Sequence, residues 1–119
     1  MNSPRNTVRA VRMWYWQRLS AMLMTVFVFT HLGLILYAMQ DGLSATEILQ
    51  RTRGNALWGV FYSAFVILVS LHGALGLRAV LVEWTRLSPA ACTRIAHAIG
   101  LVLLALGLRA VWAVTLAGA

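Results

Sequence analysis

The chain reads as an all-α membrane protein with three transmembrane helices, and three observations lead there. Of its 119 residues, 61% are hydrophobic and only 11% are charged, about half the charged share of an ordinary soluble domain. The mean hydropathy is +0.76. Three apolar runs, at about 19–39, 57–82 and 95–116, each exceed the roughly 18 residues at which a spanning helix becomes the expected structure. A chain of this length is expected to form one domain over residues 1–119, so chemistry that needs a large aqueous pocket must come from partner chains.

The elements follow in order. Arg5, Arg9, Arg12 and Arg18 precede the first run with no acid among them, and Trp14, Tyr15 and Trp16 stand at its edge. That run is longer than the roughly 7–15 apolar residues of a signal peptide, so it is expected to stay as a membrane helix. Residues 40–56 then break the pattern with Asp41-Gly42, Glu47, Arg51, Arg53 and Gly54. Ser44 with Glu47 three residues later matches a capping box and predicts a short interfacial helix over 45–51. The second run has Trp58 and Tyr62 at one edge and Trp84 at the other, as in the aromatic belts of membrane helices. A connection is expected at 83–94, holding Cys92, with Ser88-Pro89 placed to start a new helical turn within it. A single cysteine cannot form an internal disulfide.

All ten basic residues are arginine, against Asp41, Glu47 and Glu83, for a net charge of +7. The arginines sit mostly at the ends of apolar runs, where they anchor helices and set topology. They do not point to a nucleic-acid partner. The N-terminal segment is purely basic, and Arg86 and Arg94 outnumber Glu83 in the second connection. The first connection balances two arginines with two acids. The N-terminus is therefore expected in the cytoplasm and the C-terminus outside.

Polar groups inside the apolar runs carry the functional signal, because an ionisable residue in lipid is costly. His72 stands near the middle of the second run, with Gly76 one helical turn on. A neutral imidazole in a bundle can simply hydrogen-bond a neighbouring helix, and His72, His31 and His97 are each open to that reading. The functional reading is metal ligation through one ring nitrogen while an acceptor holds the other. Ser63, Ser70 and Thr30 are the candidate acceptors. The runs contain no Asp or Cys, and only Glu83 follows the second, so a closed zinc site is not expected. Haem fits better, because porphyrin is apolar and one protein ligand per face suffices. The gap at Gly76 would give such a ring room. Arg18 and Arg78 are placed to meet its propionates, while Arg109 is expected to snorkel outward. Gly73, Gly76, Gly100 and Gly107 permit close helix packing.

These residues resemble the small cytochrome b anchor subunits of succinate dehydrogenases and fumarate reductases, in particular the larger of the two anchors. The family pattern His-x-x-x-Gly-x-Arg, with an acid eleven residues after the His, appears as His72-Gly-Ala-Leu-Gly76-Leu-Arg78 and then Glu83. The Arg-x-Ser-Gly that opens the family's first span appears as Arg18-Leu-Ser20-Ala21. The resemblance covers the whole chain. It implies that His72 is an axial ligand of haem b and that Arg18, Ser20, Arg78 and Glu83 lie near the propionates and a quinone site. Trp14 stands where the family often has a quinone-contacting serine, and Gln17 where it often has a histidine. The family's second-motif acid is usually Asp, here Glu83, and the glycine of its first motif is Ala21. His31 would be a second haem ligand in a two-haem arrangement. The implied partners are a flavoprotein, an iron–sulfur protein, a second small anchor and the lipid of a bacterial inner membrane, with quinone as substrate. The alternative is a haem-free structural anchor or adaptor in which His72 only bonds another helix.

Overall fold

The computed structural model describes residues 3–116, and it holds four helices: α1 over Pro4–Gln40, α2 over Ala45–Thr52, α3 over Ala56–Trp84 and α4 over Pro89–Thr115. By length and composition α1, α3 and α4 are each able to cross a membrane. They run up, down and up in a rod of 58 × 24 × 24 Å. The α3–α4 pair is the tighter one, α1 lies along α3, and α2 rests on the far end of α4.

Local chemistry fixes most of the boundaries. Ser3 caps α1 by accepting from the Asn6 N–H, and Pro4 occupies the first helical turn, where its missing donor costs nothing. The helix stops at Gln40, two residues before Gly42 takes a left-handed φ of 64°. Ser44 accepts from the Glu47 N–H at 3.2 Å, so the expected interfacial helix is present and runs one residue further, to Thr52. Asn55 caps α3 through Leu57 N–H, and Ser88 caps α4 through Ala91 N–H.

Two boundaries differ from the sequence reading. The first helix begins at Pro4, about four turns before the apolar run, because Ala10, Met13 and Gln17 are good helix formers and no Gly or Pro interrupts residues 5–18. The second connection is only residues 85–88, not 83–94. Cys92 is consequently not in a loop: it is fully buried in the first turn of α4, since a proline at the helix start opens the helix six residues before hydropathy rises.

Among the described residues the buried interior is made of small side chains, Ser20, Thr52, Ser70, Cys92, Ala96, Gly100 and Thr115, with Val111 as the one larger aliphatic. That is the expected economy of a bundle in lipid, where close backbone approach replaces the hydrophobic drive. A methyl group at Gly100 would sit 2.9 Å from Ala74 Cβ, and one at Gly107 would run into the Val66 side chain. Gly107→Leu is therefore expected to loosen α3 from α4 and to cost about 1–3 kcal/mol, the usual range for overpacking. Reversible unfolding in mixed micelles measures this; stability equal to wild type would mean that the α3–α4 seam is not packed as described.

Candidate functional site: a histidine facing a half-groove between α1 and α3

Antiparallel pairing of α1 with α3 sets the depth of each polar group. Gln17 lies against Gly76, Ser20 against His72, Phe27 against Phe61 and Phe65, and His31 against Tyr62 and Phe65. His72 is half-buried. Its Nδ1 lies 3.3 Å from Ser20 Oγ, and that hydroxyl donates to the Gln17 carbonyl oxygen at 3.0 Å. The hydroxyl beside the imidazole is therefore that of Ser20 on another helix, and not that of Ser63, Ser70 or Thr30. Thr30 donates to Val26 O on its own helix at 2.8 Å, while Ser70 is buried on α3 and lines the groove toward α4. Depth along the sequence suggested those three; the helix register decides for Ser20.

On its other side the His72 ring borders an open groove of about 270 Å³ whose remaining walls are Ala21, Met24, Thr25, Val28 and Phe29. The groove is apolar apart from Thr25, whose hydroxyl is turned back onto Ala21 O at 2.9 Å. The space expected above Gly76 is filled from the same chain. A Cβ there would meet Gln17 Nε2 at 3.2 Å, and Gln17 Oε1 is buried without a hydrogen-bond partner. The glycine thus makes room for a flexible amide that could swing away at little cost, not for an empty slot.

A second cluster lies at the arginine-rich end. Trp14, Arg78 and Glu83 line a cavity of about 670 Å³ together with Asn6, Arg9 and Gln17. Arg78 is held from behind, its Nε donating to Thr93 Oγ1 at 2.9 Å. Arg18 is not a wall of this cavity. It is exposed, with its guanidinium 5.3 Å above the Trp14 ring, so it meets the cavity through that indole. Arg9 and Asn6 were missed by the sequence reading because the residues before 19 were not read as helix; Ser3-Pro4 followed by an unbroken helical stretch is the signal that would have found them.

The other histidines stand apart. His31 meets Tyr62 edge-on at 5.8 Å within an aromatic cluster of Phe27, Phe61 and Phe65, and its Nδ1 is buried without a partner. It lies eleven residues beyond Ser20 on α1, about 16 Å along the helix axis, so it cannot share one iron with His72. His97 is exposed on the face that carries the Ser70–Gly100 groove.

Among the described residues no three His, Cys, Asp or Glu side chains gather to hold a bare metal ion. A lone imidazole facing an apolar groove suits a metal that brings its own equatorial ligands, which is what haem does. The donor set and the apolar wall fit such a group on one face; Gln17 would have to move for a ring to reach Gly76. Compared with known proteins, the chain matches no family model, no curated protein and no solved structure.

The Arg78–Thr93 contact joins the cavity wall to α4. A double-mutant cycle with Arg78→Met and Thr93→Val is expected to give a coupling of about 0.6 kcal/mol, as for other polar pairs between membrane helices. Strict additivity would mean that the guanidinium is held by something else.

Proposed function

We propose that this chain is the haem b-binding membrane-anchor subunit of a succinate dehydrogenase or fumarate reductase complex, residing in a bacterial inner membrane. The observation that carries the reading is His72: an imidazole gripped at Nδ1 by Ser20, beside an apolar groove that one chain leaves half open. A groove open on one side suits a planar group shared with a second small anchor subunit. The motif order around Arg18, Ser20, His72, Arg78 and Glu83 supports the same family reading.

In this reading the arginine-rich end faces the cytoplasm and the C-terminus lies outside. Seven arginines (5, 9, 12, 18, 78, 86 and 94) and one acid, Glu83, belong to that end, while Arg51, Arg53 and Arg109 share the other end with Asp41 and Glu47. The flavoprotein and iron–sulfur subunits dock on the cytoplasmic side. The bound haem supplies a one-electron carrier between iron–sulfur clusters and quinone. The chain's own groups bind and orient: the Trp14–Arg78–Glu83 cavity offers an aromatic wall, a guanidinium donor and a carboxylate to a quinone headgroup, and Arg18, stacked on Trp14, offers its charge to a propionate or a quinone carbonyl.

A second reading is a haem-free structural anchor. It is favoured by the Gln17 amide standing over Gly76 and by His72 already having a partner within its own chain. A dithionite-reduced spectrum of the purified complex with all its subunits separates the two. A b-type α band that is lost in His72→Ala, with membrane insertion intact, is expected; a colourless complex would leave the structural anchor. Arg18→Ala is expected to lower quinone reduction at least about tenfold more than dye reduction, equivalent to about 1.4 kcal/mol of differential stabilisation. Equal loss of both activities would assign Arg18 to assembly.

A further inference from the structure

We infer that Ser20 is a positioning residue that holds the His72 imidazole in its Nδ1–H tautomer, so that the Nε2 lone pair is what the chain presents to a metal. A serine hydroxyl has one hydrogen to donate and two lone pairs that accept. In the buried Ser20 that hydrogen goes to the Gln17 carbonyl oxygen, one turn earlier on α1, at 3.0 Å. The oxygen is then an acceptor for His72 Nδ1–H at 3.3 Å. This arrangement makes both hydrogen bonds. The reverse one, with the hydroxyl donating to Nδ1, gives up the bond to Gln17 O and makes only one. Of the groove walls, Ala21, Met24, Val28 and Phe29 are apolar, and the hydroxyl of the fifth, Thr25, bonds Ala21 O and makes no hydrogen bond to His72. Nε2 therefore has no partner in either case, and the count at Ser20 decides.

Ser20 therefore sets which nitrogen is available and which way the ring is turned, as the outer hydrogen bonds of metal-bound histidines do. That the metal is haem iron rests on the function proposed above; the tautomer does not. The same bond makes the imidazole a stronger electron donor, because the Nδ1 proton is partly withdrawn by the serine oxygen.

Nitrogen-15 NMR of the full chain, histidine-labelled and haem-free in lipid nanodiscs at alkaline pH, reads the tautomer directly. The His72→Gln spectrum identifies the signals. A protonated Nδ1 and an unprotonated Nε2 are expected. Ser20→Ala should lower the Nδ1–H to Nε2–H ratio about fivefold, the worth of roughly one hydrogen bond. Ser20→Thr, which keeps the hydroxyl, should hold the ratio near wild type. A wild-type ring protonated at Nε2, or an alanine variant with an unchanged ratio, overturns the inference. In the assembled complex Ser20→Ala should retain the b-type band but raise the haem midpoint potential, and an unchanged potential overturns the effect on donor strength. A complex without haem would overturn the proposed function and leave the tautomer result standing.

Discussion

The register between α1 and α3 governs the rest of the molecule. Lipid tails solvate leucine and valine as well as a neighbouring helix does, so apolar side chains alone cannot choose how two membrane helices slide against each other. Here the choice falls to a few specific contacts: the Ser20 hydroxyl on His72, the Gln17 amide over Gly76, and the stack of Phe27 on Phe61 at 5.0 Å. Slipping α1 by one turn would leave the His72 imidazole without its serine partner. The polar contacts are individually small, but the cost of breaking them has no compensation from water.

The α3–α4 seam works by a different rule. Its tight points are Gly100 against Ala74 and Gly107 against Val66, with Cys92 and Ala96 buried nearer the arginine-rich end and Thr115 at the other. Backbone approaches backbone, and dispersion between closely spaced atoms replaces large interlocking side chains. The bulky residues face outward: Phe29, Leu57, Val60, Leu101 and Leu106 are among those left exposed. The molecule is thus packed most tightly along α3–α4, and His72 with its groove lies on the less extensively packed α1–α3 side.

Hydropathy and cap chemistry revealed most of the fold. Three long apolar runs became three long helices, Ser44 caps the short helix it was expected to cap, and the helical turn expected at Ser88-Pro89 is the start of α4 itself. Hydropathy failed where a helix continues past the oil. Residues 4–18 are charged and aromatic, yet they are helical because helix formation depends on backbone freedom and capping, not on burial. The same effect moved Cys92 from an expected loop into a helix. At the site, the sequence indicated His72, Gly76, Arg78 and Ser20 as a group but could not pair them. Pairing depends on the rotation and offset of two helices, which no spacing within one helix encodes. Gln17 illustrates this: its role as the filler over Gly76 follows only once the two residues are seen to face each other.

The short helix α2 has a mechanical consequence. Thr52 Oγ1 donates to Val114 O at 2.8 Å, and the Gly54 N–H donates to Thr115 O, so the connector satisfies carbonyls that the end of α4 would otherwise leave bare. The end of α4 and the start of α3 are clasped into one body. The chain links α1 to that body through residues 41–44, with Gly42 in its left-handed turn, and α1 otherwise meets it through its side-chain contacts with α3. Parting of α1 from the other two helices would pivot there, opening the bundle like a book hinged at the end opposite the arginine-rich one.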